Sequence, residues 1–288
     1  MMASDKEDTA LDRLSSRQLP VLSSGVASLL ESLSDENIDF LSLTRVIEQF
    51  PSIAGRLISV ANSAWSAPKS TITSLEMACT RLGLGVVKST SIALAVASPF
   101  DPGRCPAFDV VLYWCGALVT ADAAALLASA SHLTTELDPS AARSAGLLHN
   151  LGLLWLADQL PMETQQALLA IKENPSLSLG QTFIEITGFS HTEAGGHLAQ
   201  AWQLPAPLAI AMRHYPESDF EGEHWEMSCV VGLARLFTTA VIRGEPCPEI
   251  DGCFKRLGIS TDAAEKVFLD LNRQFEKTEA LSKTLFGH

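Results

Sequence analysis

The residues of this chain best suited to chemistry lie in Gly146-Leu147-Leu148-His149-Asn150-Leu151-Gly152, where an imidazole and a carboxamide stand side by side in an apolar run. A histidine followed directly by a carboxylate on a helix can hold a divalent cation, which turns bound water into a nucleophile toward phosphoesters. Here the second position is Asn150. An amide is a neutral oxygen donor that does not offset the ion's charge, so metal affinity should fall sharply. Glu185, His191 and His214 are the downstream candidates to join the pair. No metal is expected; were one to bind, its ligands would be His149, His191 and His214. The alternative for His149-Asn150 is a polar pair hydrogen-bonded between helices, because an unpaired buried polar group costs about 1–3 kcal/mol. His191 also reads as a helix N-terminal residue, with Ser190 as its cap and Glu193 in the first turn. Glu185 either orients a histidine as a hydrogen-bond acceptor or faces solvent.

Other constellations carry less. Asn62-Ser63 lacks the glycine frame and positioned base of a nucleophilic serine and reads as a helix end. The cysteines at 79, 105, 115, 229, 247 and 253 form no CxxC pair. Cys247 and Cys253 have no further ligands nearby and read as free thiols. Trp114 and Trp202 read as core.

The elements that must position these residues are helices. Apolar residues recur at helical spacing in Val26, Leu29, Leu30 and Leu33, and again in Leu43, Val46 and Ile47, before Phe50-Pro51 ends one helix and begins the next. Ser74 is a candidate N-cap, with Gly83 closing that helix. The run from Gly85 to Ser98 is apolar or small throughout, as a central buried helix should be. The proline-rich segment 99–106 marks a joint. Beyond it come a long Ala/Leu-rich helix from about Phe108 to Ala130, a helix from Pro139 into His149-Asn150, and helices at 153–160, 163–172, 177–187, 191–202, 205–214 and 227–243. Residues 215–226 form an acidic loop, and Ser260 or Thr261 caps a last helix bearing Val267, Phe268, Leu271 and Phe275. No segment alternates as a strand does. The expectation is an all-α fold of two packed helical lobes, at 14–98 and 106–243, preceded by a disordered tail at 1–13. The domain extends to 258, and the amphipathic helix of 259–288 packs on it.

With 288 residues and 47% hydrophobic content the chain can bury a sizeable core. Its net charge of −13 repels phosphate backbones, and Lys69, Arg81 and Lys88 fall on separate turns, so no nucleic-acid partner is expected, including through the helical hairpin near residues 42–63. The first twelve residues lack the basic-then-apolar pattern of a signal peptide. The apolar stretch from Ala117 to Ala130, broken by Asp122, reads as too short to span a bilayer. A cytoplasmic protein that engages no membrane is expected.

A set of motifs is spread over roughly residues 14–243: Leu19-Pro20, Ala61-Asn62-Ser63-Ala64, the run from Ala78 to Leu82-Gly83, Trp114, and Gly146 to Gly152. Further along come Glu185 with Gly188 and His191, and Trp202-Gln203-Leu204-Pro205 before His214. By the order and spacing of these motifs, the chain resembles the HD-related output domain (HDOD) family of bacterial signalling proteins. The resemblance implies an HD-like helical core in the second lobe, related to metal-dependent phosphohydrolases. It also implies departures. A histidine common in the family two positions after Trp114 is Gly116 here, the metal-binding aspartate is Asn150, no carboxylate stands near Ala234-Arg235, and paired histidines are replaced by His214-Tyr215. The expected function is a non-catalytic signalling module without a cofactor, acting by binding a signalling protein or a small effector. The alternative is a metal-dependent phosphohydrolase of a nucleotide or phosphoester.

Overall fold

A computed structural model describes residues 20, 24–34, 38–133, 137–249 and 253–287. The tail expected at 1–13, Leu19 and the turn at 35–37 lie outside them. All regular structure among the described residues is helical, so the protein is all-α as its sequence predicts.

The N-terminal helices are α1 (Ser24–Ser34), α2 (Phe40–Glu48), α3 (Pro51–Asn62), α4 (Leu75–Leu82) and α5 (Leu84–Ala97). Their ends follow local chemistry. The Asp39 carboxylate accepts the Ser42 N–H at 2.7 Å, Pro51 occupies the first turn of α3, and the Ser74 hydroxyl accepts the Met77 N–H at 3.2 Å. Gly83, at φ +83°, lets the chain turn by 113° between α4 and α5, a conformation that a side chain would strain. Asn62 does more than end a helix. Its amide donates to the Ile72 carbonyl at 2.7 Å and accepts the Ile72 N–H at 2.8 Å, pinning the loop that leads to α4.

After a 3₁₀ turn at Pro102–Arg104 come α6 (Val110–Ala130), α7 (Pro139–Leu148), α8 (Leu151–Gln159), α9 (Pro161–Glu173), α10 (Leu179–Thr187), α11 (His191–Ala201), α12 (Ala206–His214) and α13 (Trp225–Arg243). A short α14 (Cys253–Arg256) and the long α15 (Thr261–Phe286) complete the order. Helix α6 is the axle, packing against α7, α13 and α15. It is apolar on all sides because it is buried on most of them.

The sequence reading of this apolar stretch needs correcting. The helix begins at Val110, and 21 residues at 1.5 Å rise span about 31 Å. By length and composition, α6 and α13 could each cross a membrane, but 61% and 67% of their most apolar windows are buried inside the fold.

Helix α15 ties the two groups of helices together. The Trp65 indole donates to the Lys277 carbonyl at 2.6 Å, and Arg56 donates to the Leu285 carbonyl. On the other group, the Ser282 hydroxyl donates to the Val111 carbonyl at 2.7 Å, and Phe286 stacks on Trp114 with centroids 4.9 Å apart. One continuous buried cluster runs from Leu29 to Leu285. The Trp202 indole closes the far side, donating to the Pro20 carbonyl at 2.7 Å and so joining two motifs 182 residues apart.

Candidate functional site

The His149-Asn150 pair sits where α7 breaks into α8. Asn150, at φ −110° and ψ 16°, is the non-helical step between them. Asp138 starts α7 by accepting the N–H groups of Ser140 and Ala141, each at 2.7 Å. The two glycines flanking the pair explain its position. A Cβ on Gly146 would lie 2.7 Å from the Thr120 carbonyl oxygen of α6, and one on Gly152 would lie far inside contact distance of the His191 carbonyl oxygen and the Gly195 amide of α11. Backbone therefore meets backbone on both sides, which brings His191 within reach of the break.

Both imidazoles are buried, at 3% and 5% exposure, and they gather around Tyr215. The His149 Nδ1–H donates to the Gly146 carbonyl at 2.6 Å, and the His149 ring packs edge-on to Tyr215 with centroids 4.9 Å apart. His191 Nε2 lies 3.0 Å from the Tyr215 hydroxyl. Burial drives both rings to the neutral form, with the Arg235 guanidinium adding to the effect: His149 is pushed down to about 3 and His191 to about 4. Burial likewise raises the Tyr215 phenol to about 12, with Arg235 opposing. His191 is also the first residue of α11, where Ser190 and Glu193 form a capping box.

Two of the residues expected to join this pair do not. Glu185 is exposed on α10, and the hydrogen bonds of the two imidazoles go to Gly146 and Tyr215 instead. His214 pairs with Glu217, its Nδ1 3.0 Å from the carboxylate, and stacks on Phe220 at 4.1 Å. The physical reason is phase. Glu185 follows the buried Phe183 by two residues and so points to the other side of α10, and His214 ends α12, where the acidic loop takes its ring.

A cavity of about 330 Å³ opens beside His149, between α6, α8, α9 and α13. Its polar lining residues are Asp109, Tyr113, His149, Asn150, Arg235, Thr239 and Arg243, and the rest is apolar. On these lining residues, His149 Nε2, Asn150 Oδ1 and the Tyr113 hydroxyl are buried without a hydrogen-bond partner among the described residues. Arg235 is partly buried, donates to the Thr239 hydroxyl, and enters none of the ion pairs among the described residues.

The sequence reading missed Arg235, Tyr113 and Tyr215. A signal existed for the first, because Arg235 is the lone charge between Glu226 and Arg243 on an otherwise apolar helix. The donor set does not fit a divalent cation: no three of His, Cys, Asp and Glu come together among the described residues, and a guanidinium stands close enough to both imidazoles to depress their basicity.

Residues 19–217 match the HDOD domain. The chain belongs to the HDOD family. Solved structures share its fold, three of them as follows. A candidate signal transduction protein from Marinobacter aquaeolei VT8 superposes with a TM-score of 0.82 at 22% identity, over 96% of this chain and 65% of its own. This chain thus spans just under two thirds of that protein's length. An HDOD domain protein of unknown function from Geobacter sulfurreducens gives 0.74 at 20% identity, over 96% and 97%. A candidate phosphohydrolase from Shewanella amazonensis SB2B gives 0.70 at 19% identity, over 96% and 98%. Identities this low speak to fold alone. No curated protein matches the chain.

Proposed function

We propose that this HDOD protein is a non-catalytic signalling module that acts by binding, either a partner protein or a small effector, and not by hydrolysis. The observation that supports this most is the replacement of the metal chemistry at the helix break. Asn150 supplies no charge, Glu185 and His214 lie elsewhere, and Arg235 puts a fixed positive charge near His149 and His191. A divalent cation placed there would meet repulsion from the guanidinium with no carboxylate to offset it. The cavity's hydroxyls are Tyr113 and Thr239, burial pushes the Tyr113 phenol further from ionisation, and the Asp109 carboxylate is held as the cap of α6. On this reading the protein works in the cytoplasm, away from membranes and nucleic acid, the last consistent with its net charge of −13.

The second reading, a metal-dependent phosphohydrolase, is favoured by the shared fold with the Shewanella protein. One experiment separates the two. Purified without chelator, the protein should hydrolyse cyclic dinucleotides, nucleoside phosphates and generic phosphoesters only at background with Mg²⁺, Mn²⁺, Fe²⁺ or Ni²⁺, and EDTA should leave its melting temperature unchanged. Turnover that survives repurification and vanishes in His149→Ala would overturn the non-catalytic reading.

A further inference from the structure

We infer that the cavity between α6, α8, α9 and α13 is a binding site for a small amphipathic organic anion, with its carboxylate or phosphate on Arg235 and its apolar body along the aliphatic walls. This deepens the proposed function by naming a ligand class, and it rests on that reading.

Three independent features carry the inference. The first is charge. A partly buried guanidinium without an anion beside it is unfavourable, and among the described residues Arg235 has only the Thr239 hydroxyl as a hydrogen-bond partner for its side chain. The other charges at the cavity are already engaged: Arg243 faces Glu245 at 3.7 Å, and the Asp109 carboxylate accepts the Leu112 N–H at 2.8 Å as the cap of α6. Arg235 is the cation left for a ligand, and its planar fork of N–H donors suits an oxyanion.

The second feature is a set of unpartnered buried polar atoms on residues that line the cavity. The Tyr113 hydroxyl can donate to an oxyanion. His149 donates through Nδ1 to Gly146, so its Nε2 is left as an acceptor. Together with Asn150 Oδ1 it asks for an O–H or N–H beside the ligand's charged group. Buried polar atoms are rarely left without partners, and three on residues lining one cavity are what a polar ligand group could satisfy.

The third feature is shape. Leu153, Leu168, Ile171 and Ile242 wall the remainder, and about 330 Å³ is the lower end of the range for small-molecule pockets. Gly116 keeps this space open: a Cβ there would find nothing nearer than Ile242 Cδ1 at 3.9 Å, so a larger side chain would project into the cavity.

Three phenyl compounds of similar size test the inference by calorimetry on the full chain. Mandelate carries a carboxylate beside a hydroxyl, 1-phenyl-1,2-ethanediol is its uncharged counterpart, and benzyl phosphate carries the alternative oxyanion. One or both anions should bind at least about tenfold more tightly than the diol, the size of effect expected for a charge-assisted pair. Whichever anion binds more tightly names the headgroup source. Arg235→Met should remove the difference between anion and diol, and Gly116→Leu, which fills the cavity from the opposite wall, should abolish binding of all three. The second variant keeps the test decisive if the first does not fold. Equal binding of diol and anions, no binding of either anion at millimolar concentration, or unchanged anion binding in both variants would overturn the inference. Release of inorganic phosphate from benzyl phosphate would sink the non-catalytic reading and leave the anion site standing, so the two failures are distinguishable.

Discussion

At the scale of single residues, the two glycines around His149-Asn150 matter as much as the polar pair itself. Gly152 is where α8 and α11 touch through their backbones, and Gly195 is the facing residue: a Cβ on Gly195 would lie 3.6 Å from the Gly152 nitrogen. A methyl group at 152 has backbone in its way, not a side chain that can rotate aside. Gly152→Ala should therefore destabilise the protein by about 2–3 kcal/mol or more, despite alanine's better helix propensity. Denaturant melts with a linear-extrapolation fit would check this, and a neutral or stabilising outcome would mean that the helices can separate. Because the same contact brings His191 to the helix break, the variant should also disturb the Tyr215 cluster, which near-UV circular dichroism would register.

At the scale of elements, α15 is a brace, not an appendage. Its buried face carries Ala264, Val267, Phe268 and Leu271 in its first half, and Leu281, Ser282 and Leu285 in its second. The second half reaches α3 through Arg56 and α6 through Ser282. Leu285 is 2% exposed, whereas Leu269 on the opposite face is 54% exposed. Leu285→Ala should lower stability by about 2–4 kcal/mol, the range for a buried leucine truncated in a core, while Leu269→Ala should stay within about 0.5 kcal/mol of wild type. Since α15 touches both groups of helices, the Leu285→Ala protein should still unfold in one transition. Two resolved transitions would show that the groups of helices have separate stabilities.

At the scale of the whole molecule, the buried histidines make stability depend on pH. His149 and His191 have folded-state values near 3 and 4, against about 6.5 for an exposed imidazole. Between those values the unfolded chain binds more protons than the folded one, so stability rises with pH across the window. Folding should be at its strongest, as far as these groups are concerned, above about pH 6.5, and should weaken as the pH falls toward 4. Carboxylates titrate toward the lower end of this window, so the informative comparison is wild type against His149→Phe between pH 6.5 and 5. The variant should have the shallower slope of melting temperature against pH. Parallel slopes would mean that His149 titrates normally in the folded state. A bound anion beside Arg235 would weaken one of the causes that hold the histidines neutral, so a saturating ligand should flatten the wild-type slope as well.

The sequence alone determined the elements and the family. Helix starts and stops are set by groups within four residues of one another, so Ser74, Ser190 with Glu193, Pro51 and Gly83 could be read directly and stand where they were expected. The ordered motifs from Leu19-Pro20 to His214 likewise sufficed to place the chain among HDOD proteins. What only the tertiary structure decided is which residues meet. Glu185 and His214 looked equal to His191 as partners of His149, and the phase of α10 and the end of α12 send them elsewhere. Tyr215, Tyr113 and Arg235 arrive from three other elements, and Asn62 clamps a strand of loop ten residues away. These outcomes depend on how helices cross, and the crossings are fixed by close backbone approaches such as Gly146 on α6 and Gly152 on α11. Such contacts join residues far apart in the chain, and local periodicity and capping do not encode them.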